Sequence, residues 1–226
     1  MNEIKNIEKV LKNPSKPVLA IIGGSKVSTK LNILKKLTEK VDIIILGGGI
    51  ANTFLLSSNL PIGKSLAEKN MVSDVKEILR LAKKNDVLIP LRKDVVCQNS
   101  TGMRNKNVHE VLNEDYVKDI GSKTSIIYEK LIEEAATILW NGPVGIFEDA
   151  LFENGTKNIA RSIGNTKALT IAGGGDTISA IEKFISMEKL DYVSTGGGAF
   201  LEFLEGKKLP GIEIIKKLWL LSTNKF

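Results

Sequence analysis

PVLAIIGGSKVSTK, residues 17–30, passes from an almost wholly apolar run into a double glycine and then into a segment rich in lysine and hydroxyl side chains. The same order recurs along the chain. Residues 41–46 precede Gly47, Gly48 and Gly49, residues 137–140 precede Asn141, Gly142 and Pro143, residues 168–172 precede Gly173, Gly174 and Gly175, and residues 190–194 lead to Gly196, Gly197 and Gly198. Residues 86–90 form a sixth run, followed by irregular polar chain. Runs that are apolar throughout predict strands buried on both faces, which demands helices above and below a parallel sheet. The predicted fold is therefore α/β, a doubly wound parallel sheet in a Rossmann-like three-layer α/β/α arrangement. In such sheets ligands bind beyond the carboxyl ends of the strands, the edge at which these glycine turns lie.

Outside this repeat the chain is plain. Ile4, Ile7, Val10 and Leu11 have the spacing of one helix face, and Pro14 and Pro17 stop that helix. Residues 93–118 are polar and are expected to be a flexible excursion. The 226 residues, 42% hydrophobic and 26% charged, suffice for one large domain. A net charge of +6 is spread along the chain and aromatics are only 5%, which argues against a nucleic-acid surface. Cys97 is the one cysteine, so there is no disulfide framework, and a reducing, cytoplasmic setting is expected. No apolar run approaches the ~20 residues that span a bilayer, and the amino terminus is charged, so neither membrane association nor secretion is expected. His109, the one histidine, lies in polar sequence and is expected at the surface.

Two common nucleotide motifs are missing. No strand leads into G-x-G-x-x-G, and Gly63-Lys64-Ser65 lacks the earlier glycine of a P-loop. It reads as a loop in which Ser65 caps a helix. Residues 23–30 are the informative segment: after a buried strand they are expected to open a helix whose amides face an anion, with Lys26 and Lys30 on one side of it. In WNGPVGIFE, residues 140–148, Pro143 stiffens the turn, Gly142 and Gly145 admit a flat ligand, and Glu148 can accept from ribose hydroxyls; Trp140 is expected in the core. In GGGDT, residues 173–177, Asp176 and Thr177 are either helix caps or, beside a polyphosphate, a Mg²⁺ ligand and a phosphate contact. Gly196, Gly197 and Gly198 add a further helix start.

In this order the segments resemble phosphoglycerate kinase: GGSKVSTK at 23–30, GGGIANTF at 47–54, IGKSL at 62–66, WNGPVGIFE at 140–148, GGGDT at 173–177, STGGGAFLE at 194–202 and LEGKKLPG at 204–211. The resemblance implies reversible phosphoryl transfer between 1,3-bisphosphoglycerate with ADP and 3-phosphoglycerate with ATP. It covers residues 4–215, as an interdomain helix (1–13) followed by the nucleotide-binding lobe (14–215) of a two-lobe kinase, with an atypical apolar-ended tail at 216–226. Carried over by position, it implies that Gly24, Lys26, Lys30, Asn141, Pro143, Glu148, Gly174, Gly175, Asp176 and Thr177 bind ADP or ATP. Asp176 would hold Mg²⁺, and Lys30, Gly175, Gly197 and Gly198 would serve the transfer itself. The family's arginine-rich lobe for the acid substrate is not matched; Arg80, Arg92, Arg104 and Arg161 fit none of its motifs. Without such a clamp, worth ~10³ or more in rate, the chain is expected to be nearly inactive alone, with that lobe supplied in trans. The alternatives are a non-catalytic nucleotide-binding protein or the product of an interrupted gene. Ser122 stands where the family has proline, so the preceding loop is expected to be looser, and Thr29 stands where many relatives have aspartate.

Overall fold

The computed structural model describes residues 14–194; the expectations for residues 1–13, for Gly196, Gly197 and Gly198, and for the tail lie outside them. Five parallel strands form the main sheet in the order β2-β1-β6-β7-β8: β1 (Val18–Ile22), β2 (Ile43–Leu46), β6 (Thr137–Asn141), β7 (Leu169–Gly173) and β8 (Tyr192–Ser194). Every residue of β1, β2 and β6 is buried, as continuous apolar runs require. The sixth run contributes a single parallel bridge, Leu88 to Ile43, outside β2.

Alternation within each strand divides the core into two layers. Val18, Ala20, Ile22, Ile44 and Leu46 pack with α1 (Leu31–Leu37), α2 (Gly48–Ser57) and α3 (Val72–Lys84). Leu19, Ile21, Ile43, Ile45, Ile138 and Trp140 pack with α4 (Ser122–Glu134), α5 (Asn154–Asn165) and α6 (Gly175–Phe184). The helices therefore cover both faces, and the α/β, doubly wound fold expected from the sequence is the one observed. Trp140 is fully buried, as expected, its indole N–H donating to the Gly142 carbonyl (3.0 Å). Among the described residues no helix is long and apolar enough to cross a membrane.

The polar stretch 93–118 is not a flexible excursion. It holds a second, antiparallel sheet in the order β4-β3-β5, made of β3 (Asp94–Asn99), β4 (Gly102–Asn107) and β5 (Tyr116–Ile120). Periodicity could not reveal it because β4 is exposed along nearly its whole length and carries almost no apolar side chains. The signal that was available is the turn: Asn99 and Gly102 pair across a two-residue loop, and the Asn99 side chain accepts from the Thr101 amide (2.8 Å) and hydroxyl (2.7 Å). His109 is exposed, as expected.

Ser65 is in a loop but caps no helix. Its hydroxyl donates to Ile62 O and accepts from the Val117 amide (2.7 Å), pinning the loop to β5. The start of α4 is likewise tied to the second sheet. The buried Asp94 carboxylate accepts from the amides of Lys123 (3.0 Å) and Thr124 (2.8 Å), which caps the helix. Burial pushes the Asp94 carboxyl upward, but the donors of Asn105, Thr124 and Lys123 prevail and hold it below its ordinary range.

Candidate functional site

From β1 the chain crosses to β2 on one side, while β6 adjoins β1 on the other and continues outward to β7 and β8. The carboxyl ends of β1 and β6 thus mark the topological switch point, where open α/β sheets bind ligands. The Gly23 amide donates to the Asn141 carbonyl across it (2.8 Å). Lys30 turns inward: its ammonium donates to Gly23 O and to Asn141 Oδ1, each at 2.5 Å. Asn141 Nδ2 in turn donates to Gly173 O at the end of β7 (2.6 Å), so one lysine and one asparagine tie three strand ends together. Burial lowers the Lys30 ammonium to about 8, with the Asp176 carboxylate acting in the opposite sense.

At β7 the chain turns through Gly174, whose φ of 105° suits glycine, into α6. The Thr177 hydroxyl accepts from the Gly142 amide (2.7 Å) and donates to Gly173 O (2.9 Å). Its side chain is thereby used to hold the two turns together. What this helix start offers an anion is its backbone, because the amides of Gly175, Asp176 and Thr177 have no partner one turn back. Among the described residues a Cβ on Gly175 would meet nothing within 4 Å. Asp176 is exposed there, and among the described residues no hydrogen bond or ion pair engages its carboxylate.

Residues 23–30 do not open a helix as expected. They form a turn, and α1 begins only at Leu31 with Lys30 as its N-cap. Val27 is buried, and Ser28 binds the Glu68 carboxylate through its amide (2.8 Å) and hydroxyl (2.6 Å). Serine and threonine here also favour local bonding over helix, the Thr29 hydroxyl donating to Lys26 O (2.9 Å). Lys26 and Lys30 therefore do not share a helix side. Lys26 is exposed in the vicinity of Glu68, whereas Lys30 points into the site.

The segment after Asn141 supplies the other wall. Pro143 is half-buried, its carbonyl against Gly23 and Gly47, and Glu148 is exposed. The backbone between them is held by several contacts: Ile146 N donates to Lys118 O (2.9 Å), Lys183 Nζ to Phe147 O (2.7 Å), and Val144 N to Thr156 Oγ1 (3.3 Å). Glu68 and Lys183, which brace the two walls, carry no motif and went unnoticed in the sequence. Glu68 lies 40 residues from Ser28 and Lys183 lies 36 from Phe147, so only folding pairs them.

Among the described residues no three His, Cys, Asp or Glu side chains cluster as a protein-built metal cage. The lone exposed Asp176 fits Mg²⁺ all the same, since that ion commonly takes one or two carboxylates and completes its shell with phosphate oxygens and water. A separate groove of about 620 Å³ lies between α4 and α5, lined by Ile126, Glu129, Lys130, Asn158 and Arg161 among others, away from the glycine turns.

Fold and site together define a doubly wound α/β domain with a rim of glycine turns at its switch point. The sequence model of the phosphoglycerate kinase family matches residues 1–207. The chain belongs to that family. It is 51% identical over 221 residues to the phosphoglycerate kinase of Francisella philomiragia and 50% identical to that of Francisella tularensis, in each case over 96% of this chain and 56% of the relative. The structure resembles phosphoglycerate kinase from Coxiella burnetii (TM-score 0.90, 43% identity, 96% of this chain and 57% of that one). It also resembles the enzyme from Pyrococcus horikoshii (TM-score 0.81, 26% identity, 100% and 57%). The chain thus spans a little over half the length of the relatives it matches.

Proposed function

We propose that these residues form the nucleotide-binding lobe of a phosphoglycerate kinase, taking Mg-ADP or Mg-ATP at the switch point. The observation that carries this reading is the Lys30–Asn141–Gly173 network beside the open start of α6. Lys30 is held where it can exchange its Asn141 and Gly23 acceptors for phosphate oxygens, and partial burial strengthens its attraction for them. Amides at Gly175, Asp176 and Thr177 face the same phosphates, with Gly24 and Lys26 at the opposite lip and Pro143 and Glu148 beside the nucleoside. Bound Mg²⁺, held by Asp176, would neutralise phosphate charge.

Phosphoryl transfer of this kind rests on positioning and charge neutralisation, with no covalent intermediate on the protein. The further transfer roles for Lys30, Gly175, Gly197 and Gly198 follow the same reading. Among the described residues no arginine is exposed at the rim: Arg80, Arg104 and Arg161 are on outer surfaces and Arg92 is buried. The guanidinium clamp and the acid-substrate site therefore belong to the family's other lobe, and the 226-residue polypeptide assayed alone should turn over ~10³-fold or more below a two-lobe kinase. Calorimetric titration with ADP, with and without Mg²⁺, tests the site. Asp176→Ala should weaken Mg-ADP binding ~10-fold while leaving metal-free ADP unchanged, as expected for loss of one hard-cation ligand. Equal affinity of wild type and variant for Mg-ADP would remove the magnesium assignment.

A further inference from the structure

Beneath the wall formed by residues 143–148 sit two buried polar side chains, Arg92 and Asp119, that the site described above does not use. Arg92, 3% exposed, sends Nη2 to the Val144 carbonyl (2.9 Å) and Nη1 toward Asn52 Oδ1 (3.5 Å), while its Nε has no partner. Asp119, 1% exposed, accepts from the Gly155 amide through Oδ2 (2.6 Å); its Oδ1 has no partner and lies where a Cβ on Gly145 or Gly155 would have to go. Thr156, next to Gly155, accepts from the amides of Val144 (3.3 Å) and Gly145 (3.4 Å). The Val144–Gly145 peptide is thus held at its carbonyl, by Arg92 and the Gly48 amide (3.3 Å), and at its N–H by Thr156, with Asp119 packed beneath Gly145.

A buried guanidinium with an unsatisfied Nε is a poor way to stabilise a core, since an apolar side chain of similar volume usually does as well or better. What a guanidinium supplies and an apolar side chain does not is a directional donor at a fixed height. Val144 is the residue after Pro143, and the chain from there leads to Glu148, so the height of that carbonyl sets the wall facing the nucleoside.

Resting on the nucleotide reading above, we infer that Arg92 is a positioning residue that holds the Val144 carbonyl and thereby sets the nucleoside side of the pocket, without touching the ligand. Burial raises the Asp119 carboxyl to about 7, with the Gly155 and Ile120 amides and the Arg92 charge acting in the opposite sense.

The test compares wild type, Arg92→Met and Arg92→Lys by calorimetry with two probes, Mg-ADP and Mg-tripolyphosphate, alongside thermal melting. Arg92→Met should lose ~10-fold or more in Mg-ADP affinity, as expected when a binding wall shifts by a fraction of an ångström, while Mg-tripolyphosphate affinity and Tm hold. Arg92→Lys, which keeps the charge but not the fork, should fall between them. Unchanged Mg-ADP affinity in a folded Arg92→Met overturns the inference, and so does a loss shared equally by both probes. Should Arg92→Met not fold, Arg92→Lys decides alone: weaker Mg-ADP at unchanged Tm supports positioning, and unchanged affinity refutes it. Wild type that binds neither probe refutes the nucleotide reading itself, a different outcome from wild-type binding that Arg92→Met leaves intact.

Discussion

At Gly23 and Gly47 the backbone is closed in by the Pro143 carbonyl, and a side chain at either position would run into it, whereas at Gly175 none of the described residues stands within 4 Å of where a Cβ would be. Gly142 behaves like the first pair, its Cβ position lying 2.7–2.8 Å from the Gly23 backbone. One half of the rim is thus assembled by turns packing on one another. The other half is left open beside Asp176. Glycine serves close approach in both, but the approaching group is protein backbone in the first and a bound phosphate, on the reading proposed above, in the second.

The contrast is broken most directly by alanine. Gly23→Ala should cost about 3 kcal/mol or prevent folding, because backbone on both sides leaves no rotamer to relax; denaturant unfolding measures it, and a variant within 0.5 kcal/mol of wild type, roughly the surface-substitution range, would contradict the packed reading.

The next effect sharpens the packed half through pH. Asp119, under Gly145, has its carboxyl raised from 3.8 to about 7 by burial, so the folded chain holds a proton that the unfolded chain releases. Stability from this group is complete below about pH 4 and falls as pH rises to about 7, by roughly 3 kcal/mol across that range at ~1.4 kcal/mol per unit. Urea melts across that range should show the decline in wild type and not in Asp119→Asn; parallel curves for the two would discard the assignment.

The smallest effect belongs to the open half. Gly175→Ala should keep or slightly raise Tm, since alanine favours helix, yet weaken Mg-ADP about tenfold by lifting the phosphates from the amides. A variant that loses stability and keeps its affinity would show that the open half is packed after all.

Particular residues show why some of this was legible in advance. Val18, Leu19, Ala20, Ile21 and Ile22 are apolar without interruption and are all 0–1% exposed, so the strand, its burial and its parallel neighbours follow from composition. Trp140 and His109 were placed correctly for the same reason: one sits within an apolar run and the other within a polar one. β4 was missed because Met103, Arg104, Asn105 and Lys106 have no face to alternate. Lys26 and Lys30 were misjudged as a helical pair because Glu68, which ties the intervening Ser28 into a turn, is distant in the chain. Arg92 and Asp119 carried no motif, and nothing short of the fold puts the Val144 carbonyl over one and Gly145 over the other.

The sequence alone determined the parallel sheet, the glycine turns at the carboxyl ends of its strands and the family, because burial on two faces and glycine at a strand end are properties of a few consecutive residues. Only the tertiary structure decided which lysine turns inward, which glycines are sealed and which is open, and what braces the walls. Those depend on contacts such as Lys30 with Asn141, 111 residues apart, whose geometry is set by the packing of both helical layers on the sheet.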